Sequence, residues 1–266
     1  MGVLNNMIPG GDGLNYRYLA AGDRALLISL GDEISPALHQ RVRELFFMLQ
    51  QAEIEGIIEL IPAYSSLMVS YDPLQIEYRA LVSAIEALKG SGEDLVLPPS
   101  MVTEIPVCYG AELGPDLDFV AEYNGIGRKE VIELHSDPCY LIYMLGFSPG
   151  FTYLGGLSEK LYTPRLKKPR TSIPAGSVGI ALQQTGIYPV ASPGGWQIIG
   201  QTPVRLFDPD REKQPVLLRM GDFVQFKAVN VADFRDIQQL VTAGGWETKS
   251  YPLGEEGADG QQAEGA

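Results

Sequence analysis

The residues with chemistry to offer crowd between His135 and Pro203, where short apolar runs are cut by Ser148-Pro149-Gly150, Ile173-Pro174-Ala175-Gly176 and Ser192-Pro193-Gly194-Gly195. His135-Ser136-Asp137 supplies the three group types of a nucleophilic triad, but consecutive residues rarely point at one another, so no triad is expected. His135 has two readings: a hydrogen-bonding or proton-transfer group lining a site, or a satisfied histidine buttressing a barrel. The run Arg165-Leu166-Lys167-Lys168-Pro169-Arg170 concentrates cations in an acidic chain. Guanidinium groups bind carboxylate or phosphate in bidentate fashion, so Arg165 and Arg170 are catalytic or anion-holding candidates beside His135; a solvated loop is the alternative.

Proline fixes φ and glycine reaches positive φ, so a loop such as Pro149-Gly150 holds one shape that brings backbone N–H groups to a ligand. Phe147, Phe151, Tyr153, Tyr188 and Trp196 could line a pocket for a small planar ring or a projecting peptide side chain, or they could be core. Phe147, Phe151 and Trp196 stand out because Pro-Gly turns flank them. Gly176 and Ser177 form a candidate anion contact. Gln183, Gln184 and Thr185 could read an amide such as a lactam ring. No Gly-x-x-x-x-Gly-Lys-Ser/Thr run occurs, which excludes a standard P-loop.

Six ordered blocks carry a resemblance: Leu145 to Leu154 (LGFSPGFTYL), Pro164-Arg165, Pro169-Arg170, Pro174 to Val178, Gln184 to Pro189 and Ser192 to Trp196. They resemble the signature of the bacterial family known as the B-type subunit of 5-oxoprolinase, the kinase inhibitor KipI, allophanate hydrolase subunit 1, or the carboxyltransferase domain of urea carboxylase, subdomains C and D. The likeness extends from about residue 15 to about residue 240. It implies a ferredoxin-like α+β domain followed by a mainly-β cyclophilin-like barrel. Prolyl isomerase activity does not follow, because fold does not fix function.

The resemblance implies three functional classes. As a subunit of an ATP-dependent 5-oxoprolinase, the chain would work with A-type and C-type subunits to open 5-oxo-L-proline to L-glutamate, with ATP held in the complex. Arg165 and Arg170 would then stabilise a phosphorylated amide oxygen, and Phe147, Pro149, Gly150, Phe151, Gln184, Tyr188 and Trp196 would contact substrate. As a KipI-like protein it would instead grip a histidine kinase through exposed aromatic and proline-rich loops. As a carboxyltransferase half it would act on carboxybiotin, although the chain has no Met-Lys-Met attachment sequence.

The elements that must position these residues follow from pattern. With 266 residues, 45% of them hydrophobic, the chain has room for one large or two modest domains with real cores. Its 33 acidic against 20 basic residues argue against nucleic acid or an anionic membrane as partner. The first residues lack a basic region followed by an apolar run, and two cysteines, Cys108 and Cys139, are too few for a disulfide scaffold. A cytoplasmic protein with reduced thiols and no metal ligands is expected.

Residues 1–15 are read as a disordered lead and 16–95 as a small α+β domain, with two strands about Gly22-Asp23. Its first helix starts at Ser35-Pro36 with a Leu38, Val42, Leu45, Leu49 stripe and an exposed His39; strands at 57–61 and 66–71 and a helix at 76–88 follow. Lys89 to Asp94 is the linker candidate. Residues 96–245 form the site-bearing barrel, with short helices at 116–124 and 128–134, strands at 204–207, 216–218 and 223–227, and a closing helix at 231–241. Residues 246–266 are read as a disordered acidic tail.

Overall fold

The computed structural model describes residues 16–88 and 95–254, so the lead, the linker candidate and the last twelve residues lie outside it. The chain divides into two compact units between Pro98 and Pro99, a few residues beyond the expected boundary.

In the first unit, strands β1 (Arg17–Ala20) and β2 (Ala25–Ser29) form a hairpin whose turn uses Gly22 at φ 78°. Helix α1 (Pro36–Ala52) starts where the sequence predicts: the Ser35 hydroxyl accepts from the Leu38 N–H at 3.2 Å, and Pro36 loses no hydrogen bond at the first position. Strands β3 (Ile57–Pro62) and β4 (Ser66–Tyr71) and helix α2 (Tyr78–Leu88) follow. The sheet order is β1-β2-β4-β3, antiparallel throughout, so β4 lies between the two strands that α1 connects. Val42, Leu45, Leu49, Leu81 and Ile85 of the helices bury against Leu26, Ile28, Leu67 and Val69 of the sheet. His39 is not exposed as expected but 1% accessible, and burial followed by the nearby Arg43 charge pulls its pKa down to about 4. The helix stripe is wider than the apolar letters alone show.

The second unit is a closed barrel. Its strands are β5 (Met101–Tyr109), β6 (Cys139–Leu145), β7 (Thr152–Gly155), β8 (Arg170–Ile173), β9 (Ser177–Ala181), β10 (Gln184–Ile187), β11 (Ser192–Gly194), β12 (Gln197–Gln201), β13 (Phe223–Ala228) and β14 (Ser250–Pro252). Seven of them close a ring, β12-β9-β10-β7-β6-β13-β5 and back to β12, with β14 flanking β5 and β8 paired with β11 as a separate ribbon. All pairs are antiparallel except β13 with β5. Helices α3 (Leu117–Asn124) and α4 (Arg128–Ser136) pack on β12 and β13 respectively, and α5 (Val231–Thr242) on β5. The barrel core is built of Ile105, Val107, Tyr140, Ile142, Leu154, Val178, Ile180, Ile187, Ile199, Val224 and Phe226.

Two expectations do not hold. The segments 204–207 and 216–218 are not ladder strands; they meet at one bridge, Phe207 with Val216, closed by the Asp208 N–H on the Pro215 carbonyl and the Leu217 N–H on the Leu206 carbonyl, and Pro215 has no N–H to return to Asp208. The tail does not begin at residue 246: Trp246 packs against the barrel core and Ser250–Pro252 pair with Met101–Thr103.

Because side chains alternate across a strand, register decides what faces in and what faces out. Leu154, Thr185 and Ile180 lie opposite one another on the inner face of β7, β10 and β9. Tyr153, Gly186, Gly179 and Ile198 form the next row, on the outer face. The glycine pair leaves a trough there, and Trp196 fills it: a Cβ on Gly186 would stand 3.1 Å from the indole and 2.5 Å from the Thr152 carbonyl oxygen. Gly186→Ala is expected to cost about 1–3 kcal/mol by overpacking and to displace Trp196, read by chemical denaturation and tryptophan emission.

Candidate functional site

The outer row carries the aromatic residues singled out by sequence. Phe151, Ile173, Ala181, Tyr188, Trp196 and Ile198 form a second buried cluster with Tyr153 against it. Phe151 is its hub, with ring centroids 4.9 Å from Tyr153, 5.0 Å from Tyr188 and 5.4 Å from Trp196, the last two edge-to-face. Phe151, Tyr188 and Trp196 are therefore mostly core. Phe147 differs: it is 67% exposed, held at φ 68°, and meets the Phe151 ring edge-to-face at 5.7 Å. A bulky residue in the left-handed region is uncommon and costs energy. Pro149 beside it is exposed, while Gly150 is buried at φ 79° with the Val216 methyl 3.3 Å from where a Cβ would sit.

The loop 164–170 lies over this cluster and is pinned at several points. The Gln197 side-chain amide donates to the Pro164 carbonyl (2.9 Å), and the Leu166 N–H donates to the Gly195 carbonyl (2.7 Å). Arg170 donates to the Trp196 carbonyl (3.4 Å) and pairs with Asp116 (2.7 Å). Asp116 is itself nearly buried and takes the Ile198 N–H on its other oxygen at 2.6 Å. The two arginines that sequence treats alike thus separate. Arg170 is committed to a buried carboxylate. Arg165 is exposed, has no ion-pair partner among the described residues, and lies close enough to the Tyr153 and Tyr188 phenols for its charge to oppose the upward push of burial on both. Burial still dominates, leaving Tyr188 at about 12 despite Arg165 and a hydrogen bond from the Trp196 backbone.

His135 is on the other side of the wall. It is fully buried at the end of α4, stacked on Phe226 at 4.6 Å. Its Nδ1 lies 2.8 Å from the Tyr109 hydroxyl and its Nε2 2.8 Å from the Thr185 hydroxyl, which in turn donates to the Gly179 carbonyl at 3.1 Å. Since Thr185 spends its proton on Gly179, it accepts from Nε2–H, and Nδ1 accepts from Tyr109. Both ring nitrogens are used, and burial pulls the pKa to about 3. These are the surroundings of a buttress, not of a group lining an open site. Ser136 donates to the Ile132 carbonyl and Asp137 ends the helix, so no triad forms.

The remaining candidates mostly serve the fold. Gly176 and Ser177 do not offer an anion nest: the Gly176 N–H donates to the Tyr188 carbonyl at 2.7 Å and the Ser177 N–H to Pro174 at 3.3 Å. The turn is built for close packing, since a Cβ on Gly176 would lie 2.2 Å from the Thr202 carbonyl oxygen. Gln184 is half-buried, whereas Thr185 faces the barrel interior. Sequence reasoning passes over Asp116, which reads as the first residue of the helix expected at 116–124, and over Tyr109. The outward Gly179-Gly186 pair has a signal, two glycines at matching places in adjacent short strands. Among the described residues no group of three or more His, Cys, Asp or Glu is placed to hold a metal, and no helix is long and apolar enough to cross a membrane.

The family model for the carboxyltransferase domain, subdomain C and D, matches residues 16–218. The chain belongs to that family. It is 43% identical over 232 residues to the B-type subunit of 5-oxoprolinase from Bacillus subtilis (strain 168), covering 83% of this chain and 96% of that protein. The crystal structure of TTHA0988 superposes with a TM-score of 0.69 at 37% identity, covering 78% of this chain and 40% of that one. The Kluyveromyces lactis urea carboxylase matches 94% of this chain and 25% of its own, with a TM-score of 0.78 at 22% identity, which shows a shared fold. The chain thus spans about two-fifths of TTHA0988 and a quarter of the urea carboxylase.

Histidines whose folded pKa lies below the unfolded 6.5 bind more protons when unfolded, so stability is complete above pH 6.5 and falls as pH drops toward the folded values of about 3 and 4. Denaturation at pH 5 should show a loss of about 2 kcal/mol per histidine relative to pH 7.5. His135→Phe should flatten this limb for the second unit while lowering its stability at neutral pH.

Proposed function

We propose that the chain is a non-autonomous subunit of an ATP-dependent 5-oxoprolinase, which opens 5-oxo-L-proline to L-glutamate together with A-type and C-type partner subunits. The observation that carries this reading is the 43% identity to a B-type 5-oxoprolinase subunit over 96% of that protein's length. The TTHA0988 chain, more than half of which lies beyond the match, supports action alongside further protein segments.

On this reading the outer barrel face is this subunit's share of a composite site. Arg165 stands between Pro164 and Leu166, which Gln197 and Gly195 hold, and has no ion-pair partner among the described residues, so it anchors the substrate carboxylate. Phe147 and Pro149, exposed beside the aromatic cluster, give the flat lactam ring an apolar wall. Arg170, clamped by Asp116, positions the loop that carries Arg165, and His135 supports β10 from inside. The anion contact expected at Gly176-Ser177 does not fit a triphosphate, since both N–H groups are consumed within the fold, and the sequence has no P-loop. ATP is therefore assigned to the partners. In fold terms the reading makes the first unit ferredoxin-like, supported by β4 lying between the strands joined through α1, with β1 supplying the outer edge. It makes the second cyclophilin-like, supported by its closed barrel with packed helices, and places the protein in the cytoplasm.

Glutamate release from 5-oxoproline and ATP is expected only when this chain and its partners are mixed. Arg165→Ala should lower kcat/KM by roughly 10–100-fold, the equivalent of a lost hydrogen bond to a charged group, mostly through KM, with Arg165→Lys between. Absence of activity in every mixture would turn the reading to a regulatory binding protein that uses the exposed Phe147 loop.

A further inference from the structure

A second set of polar groups shares no residue with the aromatic face. The loop after Val204 and the segment around the end of α5 line an open cavity of about 580 Å³, within the range of small-ligand sites. On the loop wall, Asp208 holds two guanidinium groups at one oxygen: Arg205 at 3.3 Å and Arg211 at 3.6 Å, both on Oδ2. Its other oxygen accepts the Asp210 N–H at 3.2 Å. Two arginines and one carboxylate face this cavity from the loop, while Asp210, Glu212 and Lys213 of the same loop line the neighbouring one. The arginines are 57% and 62% exposed and keep donors to spare.

The wall after α5 carries the opposite sign. Glu247 lines the same cavity and is exposed, and Val204, Leu217 and Val241 give it an apolar surface. Trp246, another lining residue, has its indole nitrogen buried with no acceptor among the described residues. A neighbouring cavity of about 510 Å³ shares Arg211 and Leu217, so there is room for side chains of different length.

We propose that this cavity binds a small α-amino acid as its zwitterion. The carboxylate lies on the Arg205 and Arg211 guanidinium groups, the ammonium on Glu247, and the side chain against Val204, Leu217 and Val241. The site shares no residue with the outer aromatic face, so it stands or falls independently of the reading above.

The test is calorimetric titration of the full chain with L-leucine, L-glutamate, the matching ammonium-free acids 4-methylpentanoate and glutarate, and inorganic phosphate. At least one of the two amino acids should bind with 1:1 saturation, and its ammonium-free analogue should bind about 10-fold or more weakly. Arg211→Gln and Glu247→Gln should each weaken the amino acid by a similar factor; both side chains are exposed, and an unchanged thermal midpoint verifies folding. Glu247→Gln should leave the ammonium-free acid unaffected. No saturation by either amino acid up to about 10 mM, or equal binding of phosphate and the ammonium-free acids with no effect of Glu247→Gln, overturns the proposal.

Discussion

One nearly buried carboxylate, Asp116, ties together the parts that make the outer barrel face a defined surface. Its backbone N–H donates to the Ile198 carbonyl (2.8 Å), its Oδ2 takes the Ile198 N–H and its Oδ1 takes Arg170. The start of α3, the strand β12 and the loop 164–170 are thereby joined at a single residue. A carboxylate so placed needs its cation, because removing one partner of a buried pair leaves an uncompensated charge that costs several kcal/mol. Arg170 is therefore committed to structure. Arg165, between backbone neighbours that Gln197 and Gly195 hold, has no ion-pair partner among the described residues.

The second constraint is the closed sheet itself. Strand β10 is only four residues long, yet its alternation sends Thr185 inward to His135 and Gly186 outward beneath Trp196. One backbone wall thus separates two sets of residues that are close in sequence. Inside, a relay from Tyr109 through His135 and Thr185 to the Gly179 carbonyl satisfies every polar atom of the imidazole, which a hydrophobic core requires. Outside, aromatic rings pack edge-to-face and leave Phe147 projecting at positive φ, in a three-residue turn closed by the Ser148 N–H on the Gly146 carbonyl (2.8 Å).

Where a signal is local, the fold is legible in the sequence. Ser35-Pro36 opens α1, the 3.6-residue stripe sets its buried face, and Gly-Pro punctuation marks most barrel turns. The six blocks are enough to carry the family. What cannot be read depends on partners far along the chain. Asp116 and Arg170 are 54 residues apart, so nothing near either marks one arginine as paired and the other as free. In the same way, His39 has the spacing of an exposed helix position yet is covered, and Trp246 to Pro252, polar in composition, are held by a strand that pairs with β5. The Gly176-Ser177 turn looks like an anion nest because glycine permits both a nest and a close backbone crossing; the Tyr188 carbonyl that takes the Gly176 N–H and the Thr202 carbonyl beside its Cα, both distant in sequence, decide which.

The central claim is that the two arginines have different tasks, and a double-mutant cycle tests it most directly. Chemical denaturation of Asp116→Asn, Arg170→Gln and the double variant, with Arg165→Ala beside them, reads the coupling as stability. The account predicts a coupling of about 1–3 kcal/mol between Asp116 and Arg170 and a change within about 0.5 kcal/mol for Arg165→Ala, as for an exposed side chain. Additive effects at Asp116 and Arg170, or a loss for Arg165→Ala as large as that for Arg170→Gln, would contradict it.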